Sequence, residues 1–202
     1  MSLAVIKIGG SLCGSQRLEW LLDMLVGVEH QRLVIVAGGG PFADAVRQVQ
    51  AMMPFDDRLA HRLALDAMTH LAEVLATRHA RLILAAGFDD IAAAHREAKV
   101  PIWHPAELRS GHPDIAESWE VTSDSLALWL ATRLQAEHLV LVKSVDAPEG
   151  ATPAALAGAG IVDAAFPGYA SRYGGRITIA GPALDARLQS VIKQECVRSE
   201  AL

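Results

Sequence analysis

Ala4-Val5-Ile6-Lys7-Ile8-Gly9-Gly10-Ser11 is a buried-strand pattern interrupted by one lysine and closed by two glycines. Val5, Ile6 and Ile8 suit a strand covered on both faces, as in parallel sheets. An ammonium group is costly in such a place unless an anion meets it. Gly9 and Gly10 lack a Cβ, so the backbone can turn sharply and bring its N–H groups close to phosphate oxygens ahead of a helix. Two readings of Lys7 follow: it meets a phosphate, or it snorkels at a strand end before a tight turn.

The next segments repeat this unit. Gln16 to Val28 carries Leu18, Leu21, Leu22 and Leu25 at helical spacing. Arg32 to Ala37 is a short β-branched strand, closed by Gly38-Gly39-Gly40, with Pro41 at the first position of a helix over Phe42 to Ala51. In open α/β sheets such glycine turns gather at the carboxyl ends of the strands, where ligands bind. Two of them side by side suit a phosphoryl donor and an acceptor.

Composition narrows the field. The chain has 202 residues, 51% hydrophobic and 20% charged, with a net charge of -5. That supports a single domain, residues 1–202, with one sizeable core or at most two closely fused lobes. The negative balance argues against nucleic acid and anionic membrane as partners. No apolar run approaches the ~20 residues of a membrane span, and strand-like sequence begins at Leu3, so a cytoplasmic protein is expected. Cys13 and Cys196 read as small buried hydrophobes or free thiols, and the eight histidines show no zinc spacing, so no metal ligands are assigned.

Further along, Asp57 to about Arg78 reads as a long helix with Asp57 as N-cap and Leu63, Ala67, Leu71 and Val74 as its buried stripe. Arg81 to Ala86 is a strand, Ile91 to Ala98 a short helix, and Val100 to Trp103 an edge strand because of Pro101. His104 to Glu120 reads as a long connection with a turn of helix, a candidate cover for a site. Thr122-Ser123-Asp124-Ser125 opens an apolar helix, and Leu139 to Val142 is a buried strand. Ile161-Val162 and Arg176 to Ala180 are the last strand candidates, ahead of a closing helix over Leu184 to Gln194. Trp119 and Trp129 are taken as core aromatics, and Arg47, Arg58 and Arg62 as solvated helix charges, with the alternative that one of them reaches the acceptor. The fold class is α/β, a three-layer αβα sandwich around a mostly parallel sheet.

Neither G-x-x-x-x-G-K-[ST] nor G-x-G-x-x-G occurs, which excludes a P-loop protein and an ordinary dinucleotide-binding domain. A strand lysine, two glycine turns and an acidic helix start are the parts phosphoryl transfer uses, with Mg²⁺ bridging the nucleotide phosphates. Lys7-Ile8-Gly9-Gly10-Ser11, the Val36 to Gly40 turn and the Thr122 to Ser125 helix start resemble the amino acid kinase family over nearly the whole chain. Gly39 to Arg47, Ala60-His61-Arg62 with Ala67-Met68, and Ser118 to Asp124 resemble its small branch tied to methanofuran biosynthesis. That resemblance implies an ATP-dependent kinase converting an aminomethylfuran-methanol phosphate to its diphosphate, working as a homo-oligomer, a dimer or hexamer.

Carried over to this sequence, the resemblance implies that Lys7 neutralises the transferring group and Asp124 orients that lysine, while Gly9, Gly10 and Ser11 hold nucleotide phosphates. Gly38, Gly39 and Gly40 would hold the acceptor, and His61 would donate to its phosphate; a half-buried histidine at a helix start is the other reading. Asp124 taken by itself reads as a helix-dipole carboxylate. Lys143, Ser144, Val145 and Asp146 occupy the family's nucleotide-lining position, where it often has Thr-Asp-Val-Asp-Gly; Lys143 is either a second cation or a solvated strand end. The family's later Gly-Met-x-x-Lys lysine is absent. Two alternatives remain open: a ligand-binding or regulatory protein without turnover, and a kinase for isopentenyl phosphate, a nucleoside monophosphate or an amino acid.

Overall fold

The structure, a computed structural model, describes residues 2–28 and 32–193. Its six strands are β1 (Leu3–Ile8), β2 (Arg32–Ala37), β3 (Leu82–Ala85), β4 (Val100–Trp103), β5 (His138–Val142) and β6 (Arg176–Ala180). They form one sheet in the order β3-β4-β2-β1-β5-β6, and every pairing is parallel. All carboxyl ends therefore share one edge, where Gly9-Gly10, Gly38 to Gly40, Lys143-Ser144 and Gly181 emerge. The chain runs outward from β1 to β2 and then returns to pair β5 on the opposite side of β1. Crevices at such a reversal hold ligands in α/β sheets.

Eight helices cover the sheet among the described residues: α1 (Gln16–Val26), α2 (Gly40–Met52), α3 (Asp57–Ala76), α4 (Phe88–Arg96), α5 (Ser123–Arg133), α6 (Pro153–Gly158), α7 (Phe166–Ala170) and α8 (Leu188–Lys193). Alternation along β1 sends Ala4, Ile6 and Ile8 into a core with α1 and α8, and Val5 into a second core with α4, α5 and α7. α3 serves both, with Leu65 and Met68 in one core and Leu71, Ala72 and Leu75 in the other. α5 is buried on all sides from Asp124 to Ala131, because α7 covers the face that does not lie on β1 and β5. No helix among the described residues is long and apolar enough to cross a membrane.

Several local expectations shift. β4 is an interior strand and β3 the edge; pairing of β4 with β2 begins at Ile102, one residue past Pro101, so the missing N–H falls where that ladder has not started. Ile161-Val162 is a bend, not a strand, since Val162 packs beneath α5 instead of reaching the sheet. The N-cap of α3 is Asp56, whose carboxylate accepts from the N–H of Leu59 at 2.8 Å, and Val74 is 47% exposed because α3 turns Leu75 inward instead. Pro41 lies in the first turn of α2, which starts at Gly40. The closing helix is a 3-10 turn over Pro182–Arg187 followed by α8. Gln194 and Cys196 lie outside the described residues.

Candidate active site

Lys7 is the penultimate residue of β1, only 4% exposed, and points to the face covered by α5. There it meets Asp124, also 4% exposed, in the first turn of that helix. Lys7 Nζ stands 2.8 Å from Asp124 Oδ1, and Lys143 Nζ donates to Oδ2 at 2.6 Å. One carboxylate thus holds two ammonium groups from the ends of neighbouring strands, leaving one positive charge in excess. Burial by itself would raise the Asp124 pKa, but Lys7 and Lys143 outweigh it and hold the carboxyl below its usual range. For Lys143, burial and the repulsion of Lys7 prevail over Asp124 and bring the pKa down to about 8.

This geometry removes the alternative of a solvated strand end for Lys143. Its backbone is fixed from two sides: its N–H donates to the Ala180 carbonyl at 2.9 Å, and its carbonyl accepts from Arg17, which is clamped in turn on Asp185 at 2.8 Å. Ser11 Oγ donates to Ser144 Oγ at 3.1 Å, tying the turn after β1 to the end of β5. Val145 is 54% exposed, and Asp146 accepts from the Ala183 N–H at 2.9 Å. These residues gather beyond the ends of β5 and β6.

On the other side of β1 the two glycine turns touch. A Cβ on Gly10 would stand 2.4 Å from Gly40 N, and one on Gly38 would stand 2.9 Å from Gly10 N. Gly40 has φ of +51°, which glycine adopts without the penalty a side chain brings. Gly10, Ser11, Gly38, Gly39 and Gly40 line one end of a cavity of about 240 Å³, with Thr122 and Ser123 of the α5 start beside them. Ala43, Leu65, Met68, Val121 and Leu126 form its apolar wall, and Asp44, Arg47, His61 and Trp119 complete it. Two helix N-termini, those of α2 and α5, therefore open toward one space, a setting that favours an anion. Gly9 turns back to the sheet instead, donating to the Val142 carbonyl at 3.0 Å.

His61 is buried, with Nδ1 3.1 Å from the Ser118 carbonyl; that oxygen only accepts, so Nδ1 carries the proton. Burial lowers its pKa and keeps the ring neutral at pH 7. Its N–H is thus occupied in tying α3 to the connection that follows β4.

Three features had no signal in the sequence reading. Asp163 caps α5 from a distance, its Oδ2 accepting the N–H groups of Thr122 and Ser125 at 2.9 Å each, while Thr122 makes no side-chain cap bond of its own. Arg17 reaches 126 residues along the chain to hold Lys143. Trp119 is not a core residue: it walls the cavity, its Nε1 donates to Gln50 Oε1 at 2.7 Å, and the Arg47 guanidinium lies 4.4 Å over its ring. Of the three arginines considered for the acceptor, Arg47 is the one that lines the cavity.

A parallel α/β sheet with a carboxylate-linked lysine pair at its strand ends, beside a glycine-lined cavity onto which two helix N-termini open, has the architecture of a phosphate-handling protein. The amino acid kinase family model matches residues 2–95. A (5-(aminomethyl)furan-3-yl)methyl phosphate kinase from Methanocaldococcus jannaschii is 31% identical over 147 residues, covering 70% of this chain; the chain spans 66% of that relative's length. Uridylate kinase from Archaeoglobus fulgidus shares the fold with a TM-score of 0.70 at 14% identity, over 96% of both chains. UMP kinase from Ureaplasma parvum does so with a TM-score of 0.65 at 15% identity, over 90% of both. The chain belongs to the amino acid kinase family.

Proposed function

We propose that the protein is an ATP-dependent small-molecule kinase that extends a phosphate monoester to a diphosphate, with an aminomethylfuran-methyl phosphate as acceptor. The observation that carries this reading is Asp124 holding Lys7 and Lys143 at the strand ends, between the glycine-lined cavity and the ends of β5 and β6. A phosphoryl group in flight spreads negative charge over its oxygens, and buried, pre-positioned cations stabilise that charge with little reorganisation. A phosphate acceptor is already a nucleophilic anion, so no general base is required and Asp124 acts by orienting the lysines.

ATP would lie along Gly10, Ser11 and the Lys143 to Asp146 segment, which Ser11 Oγ and Ser144 Oγ tie together at 3.1 Å. Among the described residues no three ligand-type side chains cluster to hold a metal, so Mg²⁺ would arrive on the nucleotide's own phosphates and waters. Its contribution when bound is to neutralise the β- and γ-phosphate charge. Lys143 takes the part of the cation that the absent Gly-Met-x-x-Lys stretch supplies elsewhere in the family. The acceptor follows from the relative's activity and from the cavity, whose anion-favouring end and apolar wall suit a phosphate on a small ring.

An ADP-release screen with the aminomethylfuran phosphate, isopentenyl phosphate, uridine monophosphate and amino acids tests the reading. ADP is expected with the furan phosphate above the others, and Lys7→Ala is expected to lower turnover about 100-fold or more. No ADP with any acceptor, or unchanged turnover in Lys7→Ala, overturns it.

A further inference from the structure

Resting on the reading of this cavity as the acceptor site, we propose that Asp44 is the specificity residue that selects a cationic acceptor, by receiving a protonated amine at the end of the cavity away from the glycines. Asp44 is the one carboxylate among the described residues lining that space. It lies four residues beyond Gly40 on α2, so its Cα stands ~6 Å further along the helix axis and its carboxylate lies within one turn of the anion-favouring end. That spacing suits a five-membered ring bearing a phosphate arm on one side and an amine arm on the other.

The electrostatics of the cavity mouth give the sign. Arg47 Nη1 donates to Asp44 Oδ1 at 2.9 Å, and the same guanidinium lies flat over Trp119 at 4.4 Å from the ring centroid. Trp119 is held in turn by Gln50. The cation at the mouth is thereby engaged twice, whereas Asp44 Oδ2 takes no hydrogen bond from another described residue and faces a space that an incoming donor can reach. An anionic tail would meet the open carboxylate oxygen and be repelled; an ammonium group would complete it. The apolar wall between the two charged ends excludes water from the ring and leaves the ends to set orientation. The arrangement discriminates through the open Asp44 oxygen at the exposed cavity mouth, which a cationic ligand completes and an anionic one does not.

The test is the binding affinity of two phosphate monoesters, the aminomethylfuran compound and its hydroxymethyl counterpart, measured by calorimetry on the wild type and on Asp44→Asn. Asp44 is exposed at the surface of α2, so the variant is expected to fold, which circular dichroism checks. The wild type is expected to bind the amine at least tenfold more tightly, and the ratio is expected to collapse toward one in Asp44→Asn. Equal binding of the two by the wild type, binding of neither, or a ratio unchanged in the variant overturns the proposal. An ADP assay on the same samples separates the two claims: an Asp44-dependent preference without ADP formation upholds cation selection and sinks the kinase reading. ADP from both acceptors without a preference does the reverse.

Discussion

Lys143 reaches Asp124 Oδ2 at 2.6 Å from the end of β5, while Lys7 occupies Oδ1 of the same carboxylate from the end of β1. The two strands are direct neighbours in register, with Lys7 opposite Leu141, so the pair is set by sheet pairing and not by any local motif. Its protonation gives the first prediction. Lys143 has its pKa brought down to about 8, and the ammonium form is the one that stabilises a phosphoryl group. As pH rises through about 8 the charge is lost, so kcat/KM is expected to decline on that alkaline limb. Lys143→Arg keeps a charge at every accessible pH, and a pH profile should show the limb moved upward or abolished.

Removing the carboxylate isolates two buried cations. Asp124→Asn is expected to lower stability by ~3–5 kcal/mol, the scale for leaving buried charge without its partner. Adding Lys143→Met to that variant relieves the repulsion and is expected to recover part of the loss in urea unfolding, while turnover stays low. A wild-type midpoint for Asp124→Asn would show that the trio is not a coupled unit.

Contact between the glycine turns predicts a position-specific effect. A methyl at Gly10 would meet Gly40 backbone atoms at 2.4 and 2.5 Å, so the cradle must part. Gly10→Ala is expected to raise KM for nucleotide and acceptor together and to cost about 1–3 kcal/mol of stability. Gly14→Ala is the control, since Gly14 has φ of +76° but open space around it. There only backbone strain of about 1 kcal/mol is expected, with KM unchanged. Steady-state kinetics and thermal melts of the two variants make the comparison.

His138 gives an acid-side signature independent of the site. Burial, reinforced by Arg176, lowers its pKa from 6.5 to about 4, and Nε2 is paired with Thr178 Oγ1 at 2.8 Å. Between those values the unfolded chain takes up a proton that the folded chain refuses, so stability falls as pH drops from 6.5 toward 4. The loss is of order 3 kcal/mol when complete. Urea midpoints across that range should fall for the wild type and fall less steeply for His138→Asn.

Lys7, the glycine turns and the α5 start were legible in the sequence because each is a local conflict with its surroundings: a cation in an apolar strand, residues without Cβ at strand ends, polar residues opening an apolar helix. The strand order was not, since Pro101 reads as an edge residue until the late start of the β2 ladder is seen. Asp163 was hidden for a different reason. It takes over the capping of α5 from 38 residues or more along the chain, and local sequence at Thr122 already offers a cap of its own.

By itself, then, the order of residues determined an alternating parallel α/β chain with glycine turns at one edge of its sheet, because hydrophobic period and glycine placement act over a few residues. The tertiary structure alone decided that Asp124 serves both Lys7 and Lys143, that Trp119 and Arg47 wall a cavity, and that Asp44 faces it. Those are properties of groups far apart in sequence, and only strand pairing and helix packing bring their charges within hydrogen-bonding distance.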